Sequence, residues 1–252
     1  MQPQRLNGAT AGLQRKPRER VFRFFSWILA GTHRRTLWRL SARPYSNALL
    51  KRYLRFLGGD VVNVSGWMDS DKAGACYQSY FGQLDSYTIT NIEGQRGMPA
   101  DPPPGLTWLF LDLEKPIESE LRHKFDVVLC HTVLEHIFDF ATALENLAEL
   151  SRDVVVIVVP FSQGVHYSDS YGDYLRFSPY FLERFFGQRG FSTLLCDSND
   201  QPFSPVYVTF IASRHPARHP RFSSAPRRYD ISLTVGRFGG RRESGLDNVE
   251  MG

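Results

Sequence analysis

The sequence predicts an α/β fold in which helices cover both faces of a mostly parallel, seven-stranded sheet. Three observations predict it. Short apolar runs alternate along the chain with segments of helical periodicity, which is typical of parallel strands joined by helical crossovers. The runs are rich in β-branched residues and mostly lack polar alternation, as expected of strands that are buried on both faces. Polar or conformationally special residues (glycine or proline) stand at the ends of the first five runs, and open α/β sheets bind ligands at that edge.

The apolar pattern also places the individual elements. Seven strands are predicted at residues 61–65, 87–91, 108–112, 125–130, 154–160, 192–196 and 206–212. Helices are predicted at about 72–82, 116–123, 138–151 and 180–188, and Gly190 is well suited to end the last of them. With 252 residues and a 42% apolar composition, the chain is long enough to bury one full core.

Charge divides the chain into an acidic body and two basic arms. Residues 1–55 hold 13 Lys and Arg against one acidic residue, residues 56–213 hold nine against 21, and the remainder holds eight against four. The predicted segments are a disordered basic N-terminus at 1–20, a basic amphipathic helical cap at 21–57, an α/β domain at 58–213 and a basic extended tail at 214–252.

The basic cap is expected to break near Gly31 and Pro44 into short amphipathic helices. Three interpretations of it stay open. It can pack on the domain, lie on an anionic membrane surface with its aromatic residues buried, or contact nucleic acid. The arginines on its polar face are compatible with each of the three.

Cysteine usage and hydropathy indicate where the protein resides. Cys76, Cys130 and Cys196 form no C-x-x-C pair, so neither a disulfide framework nor a zinc site is expected. The longest apolar run, residues 21–30, contains an arginine and is shorter than the roughly 20 residues that a membrane span needs. We expect no signal peptide, because residues 1–20 are polar. These features predict a cytoplasmic protein, at the inner face of the membrane if the cap binds lipid.

Two motifs in the second half of the sequence carry a family resemblance. Residues 125–136 read Phe-Asp-Val-Val-Leu-Cys-His-Thr-Val-Leu-Glu-His. Residues 159–161 read Val-Pro-Phe and are followed by His166 and by Asp-Tyr-Leu-Arg-Phe-Ser-Pro at 173–179. These segments resemble the "vLEH" and "vPf…H…DYxRfTp" stretches of class I S-adenosylmethionine-dependent methyltransferases, specifically the bacterial type associated with surface-polysaccharide biosynthesis. The resemblance covers about residues 56–212 and implies a Rossmann-like class I methyltransferase fold.

The resemblance implies S-adenosylmethionine as the cofactor and S-adenosylhomocysteine as the product. The cofactor-binding positions that it implies follow the first four strands: Ser65, Gly66, Trp67, Asn91, Asp112, Leu113 and His131. Among these, the carboxylate of Asp112 can accept a hydrogen bond from the adenine amino group. The alternative for Asp112 is an N-cap of the next helix, since Asp is favoured at that position.

The cofactor loop departs from the family pattern in two places. Residues 61–67 read Val-Val-Asn-Val-Ser-Gly-Trp where the family has V-L-D-x-G-x-G, so the glycine-rich loop is degenerate. The indole of Trp67 could fill the space where the backbone should approach the ligand. Asn91 replaces the acid that should bind the ribose, and Glu93 could substitute for it. Two further acids, Asp69 and Asp71, could bind the amino group of the cofactor, although solvated loop acids are commoner.

The loop after the fifth strand contains the candidate catalytic and acceptor-binding residues. His166 and Asp173 both lie in this loop and are the catalytic candidates. Histidine titrates near neutral pH, so His166 is a candidate general base; a structural role is the alternative. Tyr174 could stack on a sugar ring, and Arg176 could bind a phosphate or carboxylate of the acceptor or pair with a local acid. Glu135 and His136 either take part in this chemistry or only orient the loop after strand four.

The sequence therefore predicts O-methylation of a saccharide or glycan-lipid precursor in cell-surface polysaccharide synthesis. Residues 21–57 are expected to contact anionic membrane peripherally. The alternative is a catalytically inactive methyltransferase-like protein that acts as a binding or scaffolding module, with a protein partner or a second copy of itself. Nucleic acid is not expected as the substrate, because residues 130–133 lack the Asn/Asp-Pro-Pro-Tyr/Phe signature of base-flipping enzymes.

Overall fold

The computed structural model describes residues 42–94, 102, 106–168, 171–199 and 206–228. The predicted N-terminal segment 1–20, the cap up to residue 41 with its expected break at Gly31, and the tail beyond residue 228 lie outside the described residues.

The described strands form one seven-stranded sheet with the order β3-β2-β1-β4-β5-β7-β6. The strands are β1 Gly59–Val64, β2 Leu84–Asn91, β3 Thr107–Phe110, β4 Phe125–His131, β5 Ser151–Ser162, β6 Ser192–Ser198 and β7 Val206–Ser213. Neighbouring strands among the first five are parallel, whereas β7 runs antiparallel to both β5 and β6. This is the Rossmann-like class I methyltransferase fold, which confirms the predicted fold class.

Within the part of the chain that the structure describes, three α-helices cover the two faces of the sheet. They are α1 Ala42–Leu54, α2 Phe140–Leu150 and α3 Pro179–Gly187. Alternate residues of the strands point to opposite faces. Val155 therefore belongs to the buried cluster that contains Leu147 of α2 and Leu182 of α3, while Val156 belongs to the cluster that contains Leu50 of α1. The helix starts follow from the sequence, because Asp139 and Ser178 accept hydrogen bonds from backbone N–H groups in the first turns of α2 and α3.

Two of the predicted helices are not α-helical. Residues 72–82 and 116–123 instead contain the short 3₁₀ turns Tyr77–Tyr80 and Ser119–Leu121. In the first case Oδ1 of Asp71 accepts the N–H groups of Ala73 and Ala75 at 2.7 and 2.9 Å. Such side-chain acceptors compete with the helical backbone hydrogen bonds and close a turn. The prediction failed because periodicity does not register this competition.

The described part of the cap is an integral part of the α/β domain. Pro44 does not break it, because this residue lies in the first turn of α1, where proline is tolerated. Leu50 and Leu54 of α1 are fully buried against the sheet. The apolar side of α1 therefore packs on the domain and is not available to a membrane. Within the described residues, none of the helices is both long and apolar enough to cross a bilayer.

The first part of the predicted extended tail folds back onto the domain. Residues 214–228 contain the 3₁₀ turns Pro216–Arg218 and Pro220–Phe222. Phe222 is only 1% exposed, and its ring centroid lies 5.3 Å from that of Tyr53 in α1. The N–H of Arg228 then donates to the carbonyl of Cys196 in β6 at 2.7 Å. The sequence predicted an extended tail here, whereas the structure packs residues 214–228 on the domain with Phe222 buried.

Candidate functional site

Two adjoining clefts lie at the carboxyl ends of the parallel strands. One, the Asp112 cleft, has a volume of about 230 Å³ and is lined by residues that include Asp112, Leu113 and His136. The other, the Arg43 cleft, has a volume of about 380 Å³ and is lined by residues that include Arg43, Trp67, Lys72 and His131. Ser65, Thr132 and Val133 line both. The clefts lie beside the ends of β1 and β4. The strand order reverses between these two strands, and open α/β sheets bind ligands at such a point.

The loop after β1 has a strained backbone. Ser65 and Trp67 have φ angles of 52° and 53°, in the left-handed region that residues other than glycine avoid. A Cβ on Gly66 would lie 2.6 Å from the side-chain amide of Asn63, so the one glycine retained here is needed for packing within the loop. Strain of this kind persists where surrounding contacts impose it and clusters at functional sites.

Asn91 supplies the contacts that impose this loop conformation. Its Oδ1 accepts the N–H of Trp67 at 2.9 Å, and its Nδ2 donates to the Trp67 carbonyl at 3.2 Å. Asn91 is 1% exposed. The structure therefore does not support the predicted contact of Asn91 with a ribose, because the side chain is buried and its amide is committed to the loop. Trp67 is 36% exposed and lines the Arg43 cleft without closing it, so its indole does not fill that space.

Two further acids near the loop are also structural. Asp69 is fully buried, and its Oδ1 accepts hydrogen bonds from Nδ2 of Asn63 at 2.8 Å and from the hydroxyl of Tyr87 at 2.5 Å. Burial raises the pKa of Asp69 despite these hydrogen bonds. Asp71 is equally buried, and its Oδ2 accepts a hydrogen bond from the hydroxyl of Tyr80. Neither acid can bind an amino group of a ligand in the clefts, whereas Glu93 is exposed.

Asp112 presents a carboxylate to its cleft. A hydrogen bond from Lys115, with Nζ 2.9 Å from Oδ2, holds the pKa of Asp112 below its usual range. Oδ1 accepts the N–H of Glu114 at 3.0 Å in a turn, and no α-helix begins within the described stretch 112–124, which excludes the N-cap alternative. Leu113 is buried beside it. A carboxylate oxygen retains further lone pairs for a ligand donor.

The Arg43 cleft is basic. Arg43 reaches it from α1 and donates from Nη2 to Oγ1 of Thr132 at 3.1 Å and from Nη1 to the hydroxyl of Tyr77 at 3.3 Å. Lys72 lines the same cleft, and burial, together with the nearby Arg43 charge, lowers its pKa. Two cations that face one cleft favour an anionic ligand group. Neither cation was predicted from the sequence. Arg43 lies 89 positions from Thr132 along the chain, so only the fold brings it to the cleft.

His131 is a buried neutral imidazole at the wall of the Arg43 cleft. Burial lowers the pKa of His131 well below its usual value. Its Nδ1 lies 3.2 Å from Oγ1 of Thr132, and its Nε2 has no hydrogen-bond partner among the residues that the structure describes. Buried polar atoms are rarely left without a partner. The orphaned nitrogen therefore marks a place where a ligand or an ordered water completes the site.

The structure brings His166 and Asp173 together in the loop after β5. Nδ1 of the His166 ring lies 3.1 Å from Oδ2 of Asp173, and the backbone N–H of His166 donates to the same oxygen at 2.8 Å. The two Nη atoms of Arg176 donate to the buried Asp173 carboxylate, and this hydrogen bonding holds the pKa of Asp173 well below its usual range. Asp173 thus fixes the ring of His166 with Nε2 directed away from it.

Arg176 and Tyr174 differ in what they present to a ligand. Arg176 donates to Asp173 and to the Leu175 carbonyl, so the structure does not support its predicted contact with an acceptor. The structure shows the alternative, in which Arg176 pairs with a local acid, Asp173. Tyr174 is exposed, and its ring centroid lies 5.5 Å from that of Phe138. Acceptor binding by Tyr174 stays a prediction.

Glu135 and His136 extend this group of residues. Glu135 is 1% exposed, and burial raises its pKa to about 7. Oε1 lies 3.7 Å from Nε2 of His136, while Oε2 has no hydrogen-bond partner among the described residues. The ring centroids of His136 and His166 are 4.8 Å apart. The Glu135-His136 pair is evident in the sequence, but its contact with His166, 30 residues further along the chain, was not predicted. Only the folded loops bring these residues together.

In fold, the chain is similar to methyltransferases of known structure. One is the 1,6-didemethyltoxoflavin-N1-methyltransferase of Burkholderia thailandensis, solved with bound 1,6-didemethyltoxoflavin and S-adenosylhomocysteine (16% identity, TM-score 0.48, 82% of this chain and 92% of that one). Another is an S-adenosylmethionine-dependent methyltransferase from Mesorhizobium loti (11%, 0.48, 66% and 96%). A third is the magnesium protoporphyrin IX methyltransferase of Synechocystis with bound S-adenosylhomocysteine (14%, 0.46, 68% and 83%). No family model and no curated protein matches the chain significantly. Identities this low describe a likeness of fold alone.

Proposed function

We propose that this chain is an S-adenosylmethionine-dependent methyltransferase that O-methylates a saccharide or glycan-lipid precursor in cell-surface polysaccharide synthesis. The observation that carries the proposal is the charge arrangement of the two adjoining clefts. A carboxylate, Asp112, lines one cleft, and two cations, Arg43 and Lys72, line the other. S-adenosylmethionine has an adenine amino donor at one end and a zwitterionic amino acid at the other, so its adenine amino group and its carboxylate are complementary to the two clefts.

The residues present in the clefts fit this cofactor. Asp112 would accept from the adenine amino group, and Leu113 forms the apolar floor beside it. Arg43 and Lys72 would bind the methionine carboxylate, and the orphaned Nε2 of His131 faces the same space. When bound, the cofactor supplies an electrophilic methyl group on its sulfonium. In this arrangement the backbone of Ser65, which lines both clefts, lies beside the middle of the ligand.

The loop after β5 would receive the acceptor. Tyr167 and Tyr174 are exposed there, and aromatic faces suit the apolar faces of sugar rings. His166 would accept the proton of the acceptor hydroxyl at Nε2, while Asp173 orients the ring through Nδ1 and stabilises the imidazolium that results. An aromatic surface beside a histidine–aspartate pair therefore supports a hydroxylated, sugar-like acceptor.

Peripheral membrane contact belongs to the same proposal. Lys51 and Arg52 on the outer side of α1 are exposed, and exposed Arg55 and Phe56 follow the helix. Each basic side chain near anionic lipid contributes about 1 kcal/mol. This exposed basic side, rather than the buried apolar side of α1, would place the protein at the inner membrane face near a lipid-linked acceptor.

A second candidate function is a binding or scaffolding module without catalytic activity. The observation that favours it is the pairing of Asn91 with the Trp67 backbone, which removes the side chain that should bind the ribose. This candidate keeps the fold and the clefts but predicts no turnover with any acceptor.

The test of the proposal is a transferase assay with purified protein, S-adenosylmethionine, and panels of nucleotide sugars and lipid-linked saccharides. We expect acceptor-dependent release of S-adenosylhomocysteine, and a rate about 10²–10⁴-fold lower in His166→Gln. His215→Gln, which changes an exposed histidine outside the clefts, is the matched control and should keep the wild-type rate. Cofactor binding without turnover on any acceptor would favour the scaffolding candidate instead.

A further inference from the structure

We propose that Glu135, His136 and His166 form a binding site for a divalent transition-metal ion. Each of the three residues offers one ligand atom, and these atoms lie within 4.8 Å of one another. Protein ligands lie roughly 2.0–2.2 Å from a bound Zn²⁺ in a tetrahedral arrangement, so neighbouring ligand atoms are about 3.3–3.6 Å apart. Side-chain movements of up to about 1 Å would close the group around an ion.

Hydrogen bonds already hold both imidazoles in the form that binds metal. Nδ1 of His136 lies 2.6 Å from the Gly172 carbonyl, which can only accept, so this nitrogen carries the proton and Nε2 keeps its lone pair. Nδ1 of His166 likewise faces the carboxylate of Asp173 at 3.1 Å. Metal-ligating histidines almost always donate their second nitrogen to a carbonyl or carboxylate in this way.

Glu135 supplies the second, independent observation. It is almost completely buried, yet Oε2 has no hydrogen-bond partner among the described residues. A buried carboxylate without a partner is costly, and a cation at this position would satisfy it. Arg176 already pairs with Asp173, and among the described residues no lysine or arginine forms a salt bridge with Glu135.

The donor set determines which ions fit. Two imidazole nitrogens and one carboxylate suit Zn²⁺, Fe²⁺, Mn²⁺ or Co²⁺, whereas Mg²⁺ and Ca²⁺ prefer oxygen ligands throughout. Three protein ligands leave at least one coordination position open. Because His136 also lines the Asp112 cleft, that position lies next to the proposed methyl-transfer site.

The existence of the metal site is independent of the proposed function, whereas its use in methyl transfer rests on that function. An acceptor oxygen at the open position would be polarised by the ion. Its hydroxyl proton would then pass to solvent, since the Nε2 lone pair of His166 would be engaged by the metal. His166 would thus act as a metal ligand in the loaded protein and as a base only without metal.

The experiment is a Co²⁺ titration of the full chain, prepared without a histidine tag and treated with a chelator. We expect visible absorption bands of coordinated Co²⁺ that saturate at one equivalent, and displacement of Co²⁺ by Zn²⁺. Glu135→Gln and His166→Gln should weaken binding by about 100-fold or more, and Asp173→Asn by about 10–100-fold. His215→Gln should bind as the wild type does.

Thermal unfolding of each metal-free variant separates loss of a ligand from loss of the fold. His166, which is partly exposed, provides the second variant if buried Glu135 does not tolerate the change. Absence of Co²⁺ and Zn²⁺ binding at millimolar concentration, or unchanged binding in both variants, would overturn the metal site. Titration of S-adenosylmethionine into the same chelator-treated protein distinguishes the two proposals. Cofactor binding without metal binding would contradict only the metal site. Metal binding without cofactor binding would contradict only the proposed methyltransferase.

Discussion

Replacing Arg176 with methionine is expected to lower the free energy of unfolding by about 3–5 kcal/mol, because the change leaves the Asp173 carboxylate buried and unpaired. Both Nη atoms of Arg176 donate to Asp173, whose side chain is inaccessible to solvent. Urea unfolding of the two proteins, followed by circular dichroism, measures the difference. Methionine keeps most of the apolar stem of arginine, so the loss reports mainly on the ion pair.

The matched control for this substitution is Arg122→Met. Arg122 also pairs with a carboxylate, Glu149, at 2.6 Å, but its side chain is 51% exposed. Exposed ion pairs contribute roughly 0–1 kcal/mol, so the control should lose no more than that. Equal losses for the two variants would mean that burial does not set the strength of the Arg176 pair.

Replacing Phe222 with alanine is also expected to cost about 3–5 kcal/mol, because it empties a fully buried aromatic position. The ring packs beside Tyr53 in the same core cluster as Leu50 and Leu54 of α1. Chemical unfolding measures the loss. Phe138→Ala, at a position that is 75% exposed, is the control and should change stability by only about 0.5 kcal/mol.

The outcome of the Phe222 substitution decides where the domain ends. A loss below about 1 kcal/mol would mean that residues 214–228 contribute little to the fold, as the predicted extended tail requires. A loss in the expected range would place this segment within the cooperative unit of the sheet.

The sheet could be predicted from the sequence because strands that are buried on both faces have a distinctive composition. The run predicted at 154–160 is almost uninterrupted Val and Ile, and the structure places it within the longer strand β5. All seven predicted strands are present, with bounds that differ by a few residues. The crossovers were harder to predict, since the fate of residues 72–82 depends on Asp71 side-chain hydrogen bonds to the backbone.

The candidate site was predictable only where its residues follow strands directly. Asp112 and His131 were placed at the sheet edge by position alone, and both line the clefts. Contacts between distant segments were not predictable from one sequence. The pairing of Asn91 with Trp67 and the reach of Arg43 across to Thr132 depend on how the loops pack. The proximity of His166 to Glu135 likewise depends on how the loops pack and was not predictable.

Calorimetric titration with S-adenosylmethionine and S-adenosylhomocysteine tests the central claim, that the two clefts together hold this cofactor. We expect micromolar binding by the wild type. Asp112→Ala and Arg43→Met should each weaken it by about 10–100-fold, since each removes a charge-assisted hydrogen bond. Asp85→Asn, at an exposed position near the start of β2, should not change it. The absence of heat and of thermal stabilisation at millimolar ligand, or full binding by both variants, would contradict the account.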